Sequence, residues 1–440
     1  MSKVFNRSNL KKAYYYLKRN GIRAALGAVK ERIQTAYYTD YRYQRPEDEA
    51  LARQRSRSWE EPIVFSLLVP AYETRERFLG QLIDSLEEQT YPYWELLLLD
   101  AGSSCGVEQK AKGYGDERIR YIKLAGNRGI SENSQVGLGV VRGDYVGLID
   151  HDDYLTPDAL YETALTLERG RQEGKEYGFV YSDEDKCDEA GEHFFEPHFK
   201  PEFNLDLLLT NNYVCHFLVM KRELIQSLGF RRAFDGAQDY DLVLRAVACL
   251  MRENPKVEEQ IAHIPRVLYH WRCHQDSTAA NPESKAYAYE AGKKALEDFL
   301  DVQGWKAKVS HMRHVGFYRI EYEGGIFTQR ADIAAVGGKR IHKRRIVATA
   351  FDRKGKPLYE GLCARYSGYM HRAVLTQNVA CLDIDCWKIN PAFLPLVETF
   401  LQEAASKEGE NRSVQMHKVC DRLLCNGFRL YWDPEWIIRK

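Results

Sequence analysis

From residue 63 onward the chain alternates short apolar runs with stretches of helical periodicity, and this alternation constrains its fold more than any other feature. Residues 63–69 read as a buried strand, and Phe78, Leu79, Leu82, Ile83 and Leu86 give the apolar face of the helix that follows. Further strands are expected at 95–99, 119–124, 145–149 and 179–181, with helices at 130–141 and 159–167. Strands that alternate with helices predict an α/β fold, a mostly parallel sheet flanked by helices with right-handed crossovers. Segments 213–220, 238–250 and 261–269 continue the same domain, and a helix over 282–300 closes it.

Ligands of open α/β sheets gather beyond the carboxyl ends of the strands. Three polar motifs fall at such ends: Pro70-Ala71-Tyr72-Glu73, Asp100-Ala101-Gly102-Ser103-Ser104 and Asp150-His151-Asp152-Asp153. Any one of them could be a simple turn, because Asp, Gly and Ser favour turns for local backbone reasons. The last places three carboxylates in four residues, a crowding that calls for a counter-charge. Mg²⁺ and Mn²⁺ are hard cations that take carboxylate oxygens and bridge them to phosphates. The competing role, capping the helix that opens after Thr156-Pro157-Asp158, is assigned to Thr156, which leaves the earlier acids to a metal. No phosphate-cradling glycine loop is present: there is no G-x-x-x-x-G-K-[ST], and no G-x-G-x-x-G follows the first strand. That argues against nucleotide-dependent dehydrogenases and P-loop enzymes, and it leaves a diphosphate to be held by metal and side chains.

Taken in order, the motifs of residues 63–300 resemble the family 2 glycosyltransferases, which have the GT-A fold. The resemblance rests on Ser66-Leu67-Leu68-Val69-Pro70-Ala71-Tyr72, the Asp100 turn, and Asn127-Arg128-Gly129-Ile130-Ser131 with Asn133. It continues through Leu148-Ile149-Asp150-His151-Asp152-Asp153, Gly236-Ala237-Gln238-Asp239-Tyr240-Asp241-Leu242 and Tyr269-His270-Trp271-Arg272-Cys273-His274. It implies a metal-dependent, inverting hexosyl- or deoxyhexosyltransferase that uses a nucleotide-diphosphate sugar and a divalent cation, Mn²⁺ or Mg²⁺. Asp239 then corresponds to the general base, and Asp152 and His274 to the metal ligands. Pro70, Tyr72, Glu73, Asp100, Asn127, Asp150, Asp153 and Arg272 fall on the donor side, and Asp183, Glu184 and Asp241 on the acceptor side. Two departures stand out: Ala101 follows Asp100 where a second acid is common, and Gln238 precedes Asp239 where Glu is common. Bacterial relatives of this type build cell-surface polysaccharides, so the resemblance also implies a saccharide acceptor on a lipid carrier. A catalytically silent carbohydrate- or nucleotide-binding protein on the same fold is the alternative.

The flanks read differently. Residues 1–60 form a basic, tyrosine-rich lead-in, whose first 30 residues hold eight Lys and Arg and no Asp or Glu. Leu10, Tyr14, Leu17, Ile22, Leu26, Val29 and Ile33 recur at roughly helical spacing, interrupted near Asn20-Gly21. A basic amphipathic pattern over 1–33 suits an anionic membrane surface; the plainer readings are a helix packed on the main domain or a nucleic-acid tether. Overall neutrality, 63 basic against 63 acidic residues, and the lack of a DNA- or RNA-binding motif argue against nucleic acid. No run is apolar enough to span a bilayer and no signal peptide is evident, so the expectation is a cytoplasmic enzyme, peripheral on the inner face of the membrane. Its ten cysteines are then reduced thiols. The pairs Cys381/Cys386 and Cys420/Cys425 are spaced more widely than structural zinc sites favour. Residues 61–304 are expected as the GT-A domain. Residues 305–440 are expected as an accessory α+β unit, the trailing part of a second transferase domain without its own donor site.

Overall fold

The computed structural model describes residues 16–18, 20–34, 41–274, 286–405 and 412–439. The chain divides into two compact units: one of residues 38–203 and 212–299, the other of residues 1–37, 204–211 and 300–440.

The first unit is built on a nine-stranded sheet. Its strands are β1 (Phe65–Ala71), β2 (Trp94–Asp100), β3 (Ile119–Lys123), β4 (Tyr145–Leu148), β5 (Tyr154–Leu155), β6 (Phe179–Cys187), β7 (Phe194–His198), β8 (Leu218–Lys221) and β9 (Ile261–Arg272). The order is β3-β2-β1-β4-β8-β6-β9-β5, with β7 paired to β6. The half formed by β3, β2, β1 and β4 is parallel, as expected. Beyond it the sheet is mixed, because β8 runs antiparallel between β4 and β6, and β5 runs antiparallel to β9. Strands buried on both faces become continuous apolar runs, and in β2 Leu96, Leu97, Leu98 and Leu99 are all 0% exposed. Helices Glu76–Glu87 and Ala159–Gln172 pack their apolar faces on this core through Leu79, Leu82, Leu86, Leu160, Ala164 and Leu167. The helix expected after Thr156 starts at Ala159, yet Thr156 does not cap it: its hydroxyl donates to the Asp158 carboxylate at 2.8 Å.

The lead-in expected over 1–60 divides. Residues 41–60 belong to the first unit, where Leu51 is 1% exposed and Trp59 meets Tyr91 edge to face. The helix expected over 282–300 is observed as Ala286–Gln303; positions 282–285 lie outside the described residues. The first part of the basic pattern, 1–15, also lies outside them, and its second half forms the helix Ile22–Gln34.

In the second unit, strand Ile333–His342 runs parallel to Arg429–Arg439, with Arg345–Val347, Gln377–Asn378 and Trp387–Ile389 completing a five-stranded sheet. Helices Leu394–Ala405 and Arg412–Cys425 belong to the same unit, whose core includes Val397, Val419, Leu423, Leu430 and Trp432. Cys381, Cys386 and Cys420 are buried while Cys425 is exposed. Among the described residues no helix is long and apolar enough to cross a membrane.

Candidate functional site

The acid run leaves β4 at the carboxyl end of the parallel half-sheet and turns at once, the Asp153 amide donating to the Asp150 carbonyl at 3.2 Å. Strand β9 holds the turn from the other side. Asp153 is fully buried; its carboxylate accepts from the Tyr269 hydroxyl at 2.6 Å and from the Arg272 amide at 2.7 Å. Burial, then the neighbouring charges of Asp152 and Asp150, hold the Asp153 carboxyl well above the usual carboxylate range. With both oxygens accepting from β9, Asp153 fastens the run to that strand.

Asp152 faces outward from this anchor. Its Oδ2 lies 2.7 Å from His274 Nε2, and the two side chains are 19% and 9% exposed. Burial pushes the Asp152 carboxyl up, but the hydrogen bond to His274 and the nearby histidine charges outweigh it, and the net shift is downward. The two residues read from the sequence as metal ligands are thus brought together. Asp150 is half-exposed, its Oδ2 3.8 Å from His216 Nε2, and the charges of Asp152 and Asp239 both act to raise its carboxyl.

Asp239 sits in the first turn of the helix Gln238–Glu253 and is partly exposed. Its Oδ2 accepts from Asn212 Nδ2 at 2.8 Å and lies 3.5 Å from Cys215 Sγ. A side-chain amide fixes the carboxylate without neutralising it, as a base requires.

A histidine missed by the sequence reading completes the crevice. His216 stacks on Tyr269 with ring centroids 4.7 Å apart and planes 11° apart. Its Nδ1 lies 3.2 Å from Glu184 Oε2, and its Nε2 lies 3.8 Å from Asp150 Oδ2. Asp150, Asp153 and His216 bring one ligand atom each within 4.8 Å of one another, the one such three-residue group among the described residues. No spacing signal marks His216, because its position follows from the stacking on Tyr269, 53 residues later in the chain.

On the proposed donor side, Glu73 accepts from the Ser103 amide at 3.2 Å, joining the turns after β1 and β2. Pro70 lies at the end of β1, and the Tyr72 ring beside it is 50% exposed. Asp100 is buried and accepts from Tyr121 Oη at 2.8 Å, Lys123 Nζ at 2.9 Å and the Gly102 amide at 2.8 Å. Asn127 braces its own loop, accepting from the Gly129 amide and Asn133 Nδ2, both at 3.0 Å. Gly129 holds φ at +96°, which a residue with a Cβ would strain to adopt.

Four further residues expected at the site, Arg272, Asp183, Glu184 and Asp241, are buried. Arg272, 0% exposed, is the last residue of β9; its Nε donates to the Asp152 carbonyl at 2.6 Å and its guanidinium lies over the Phe78 and Tyr154 rings. It holds the acid run by its backbone and does not reach open solvent where phosphate would bind. Asp183 and Glu184 lie inside β6, which runs on to Cys187 where it was expected to stop at 181. Asp183 accepts from the Lys200 amide at 2.7 Å and lies 2.8 Å from His263 Nε2. Glu184 meets Lys200, His198 and His216. Asp241, 1% exposed, is clamped by Arg231 and Arg245. These three acids are paired in the interior.

With the geometry in hand, similarity to known proteins is informative. Residues 66–229 match the family model for glycosyl transferase family 2. An uncharacterized protein, y4gI, of Sinorhizobium fredii is 38% identical over 241 residues, 54% of this chain and 25% of that protein. The O-antigen biosynthesis protein RfbC of Myxococcus xanthus is 34% identical over 280 residues, 62% of this chain and 20% of that protein. Chondroitin synthase of Escherichia coli is 27% identical over 222 residues, 50% of this chain and 30% of that protein. The chain therefore spans between a fifth and a third of the length of these relatives. Among solved structures, S. aureus TarS 1–349 in complex with UDP-GlcNAc aligns with TM-score 0.42 at 17% identity, over 55% of this chain and 72% of that one.

Proposed function

Because residues 66–229 match the family model for glycosyl transferase family 2, we propose that the chain moves a sugar from a nucleotide-diphosphate donor to a saccharide hydroxyl, with inversion at the anomeric carbon. The observation that carries this reading is the Asp152–His274 pair with Asp239 nearby: His216 lies 3.8 Å from Asp150, and the adjacent Cys215 lies 3.5 Å from the Asp239 carboxylate. A metal pair beside a carboxylate fixed by a neutral amide is the equipment of a single displacement.

The donor set fits a hard divalent cation, Mn²⁺ or Mg²⁺: carboxylate oxygen and imidazole nitrogen, 2.7 Å apart and reachable from solvent. Asp152 and His274 would hold it, with Asp150 beside them. When bound, the cation supplies neutralising charge for the departing diphosphate. A second reading puts the ion between Asp150, Asp153 and His216, whose ligand atoms also converge. Against it, Asp153 already spends both oxygens on Tyr269 and the Arg272 amide.

The chain's own groups do the rest. Tyr72 offers an exposed ring at the end of β1 for stacking on the base, with Glu73 and Asp100 ordering the adjacent turns. Asp239 accepts the proton of the acceptor hydroxyl while its oxygen attacks the anomeric carbon and the bond to the diphosphate oxygen breaks. Such a positioned base contributes roughly 10²- to 10⁴-fold. O-antigen and chondroitin relatives support a polysaccharide product, and the basic amphipathic start supports an acceptor carried on lipid at a membrane's inner face. An Asp239→Asn variant tests the base: donor binding should stay intact while turnover falls by about that factor. Near-normal turnover in a variant that binds donor would rule the assignment out.

A further inference from the structure

The helix Ile22–Gln34 is mounted with its apolar stripe outward. Ile22, Leu26 and Val29 lie three and four residues apart, on one helix face, and are 66%, 64% and 50% exposed. Glu31 stands roughly half a turn away from that stripe at about 100° per residue, and it joins the helix to Ser367 and Gly368 of the same unit. Its carboxylate accepts from the Ser367 amide at 3.1 Å and the Gly368 amide at 2.7 Å. Gly27 and Ala28, both half-buried, lie on the Glu31 side of the helix. A helix that merely packed on its domain would show the reverse arrangement, apolar side in and charge out.

Among the described residues, two lysines flank the stripe. Lys18 and Lys30 are exposed, and the first 30 residues hold eight basic side chains and no acidic one. We propose that this helix docks flat on an anionic lipid surface, the stripe entering the headgroup boundary and the lysines pairing with lipid phosphates. A second copy of the chain would bring the same excess of positive charge against it. Nucleic acid would use the charges but leave three large aliphatic side chains in water. The helix is far too short to span a bilayer. The inference rests on helix geometry and charge, independently of sugar transfer.

The test is flotation of the full chain with phosphatidylcholine vesicles and with vesicles of phosphatidylcholine and phosphatidylglycerol in equal parts, without donor or acceptor. The wild type should float with the anionic vesicles only, and less so as salt is raised. The triple variant Ile22→Ser, Leu26→Ser, Val29→Ser, outward-facing and so expected to keep the wild-type circular dichroism, should lose at least about tenfold in binding. Equal binding by the triple variant, or no preference for anionic vesicles, overturns the proposal. So does a wild-type dimer that the triple variant splits into monomers, because the stripe would then belong to a second copy. Tight binding of duplex DNA that survives the triple substitution, without vesicle binding, overturns it in favour of nucleic acid.

Discussion

His274 and Asp152 lie 122 residues apart in the chain, and their side chains meet with Nε2 2.7 Å from Oδ2. The contact exists because β9 pairs with β5 directly after the acid run, Tyr154 against His270, so the residues that continue β9 are carried back over Asp152. Strand register, not sequence proximity, builds the pair.

That register makes the first prediction. Asp152→Asn and His274→Ala should each weaken Mn²⁺ affinity, read by calorimetry, by at least about tenfold. His216→Ala should leave it within a factor of about two. If His216→Ala is the variant that loses the ion, the cation belongs between Asp150, Asp153 and His216 instead.

Glu184 gives the second. It is buried against Lys200 Nζ at 3.2 Å and His216 Nδ1 at 3.2 Å. Burial pushes its carboxyl up, but Lys200, His198 and His216 outweigh that and hold it well below the usual range. Removing one partner of a buried pair leaves uncompensated charge, so Glu184→Gln should cost about 3–5 kcal/mol in urea unfolding. A variant of unchanged stability whose acceptor KM rises would restore Glu184 to the acceptor side.

How much of this could be read from the chain alone differs by element. Strands β1, β2 and β4 were legible because burial on both faces demands unbroken apolar runs such as Leu96 to Leu99. The acid run, Asp239 and His274 were legible as motifs in a fixed order. Strand β6 was cut short because Asp183, Glu184 and Asp185 interrupt its apolar pattern, and their partners Lys200, His263 and His270 are distant in sequence. Arg272 was misread for the same reason. A guanidinium looks like a phosphate fork until the strand that carries it is seen to end in the interior.

The second unit supplies a pH prediction. Burial pushes the Asp332 carboxyl up, but hydrogen bonds and charge from Arg330, with help from Arg429, bring it down to about 2. A carboxyl depressed in the folded state stabilises the fold at pH values above its ordinary range near 4. That contribution, about 2 kcal/mol, is lost as pH falls from roughly 4 towards 2. Asp332→Asn should be less stable than wild type at pH 7, with the gap closing at pH 2. A gap that stays constant across this range would show that Asp332 contributes through packing or neutral hydrogen bonds alone.

The central claim is that the crevice around Asp152 binds a nucleotide-diphosphate sugar through a divalent cation. The most direct measurement is a thermal-unfolding screen of nucleotide sugars, each with Mn²⁺ and with chelator, on the wild type and Asp152→Asn. A donor that binds the folded state raises the unfolding midpoint by mass action. At least one nucleotide sugar should stabilise the wild type only when Mn²⁺ is present, with no such stabilisation in Asp152→Asn. Stabilisation that is the same with chelator, or that persists in Asp152→Asn, would contradict it.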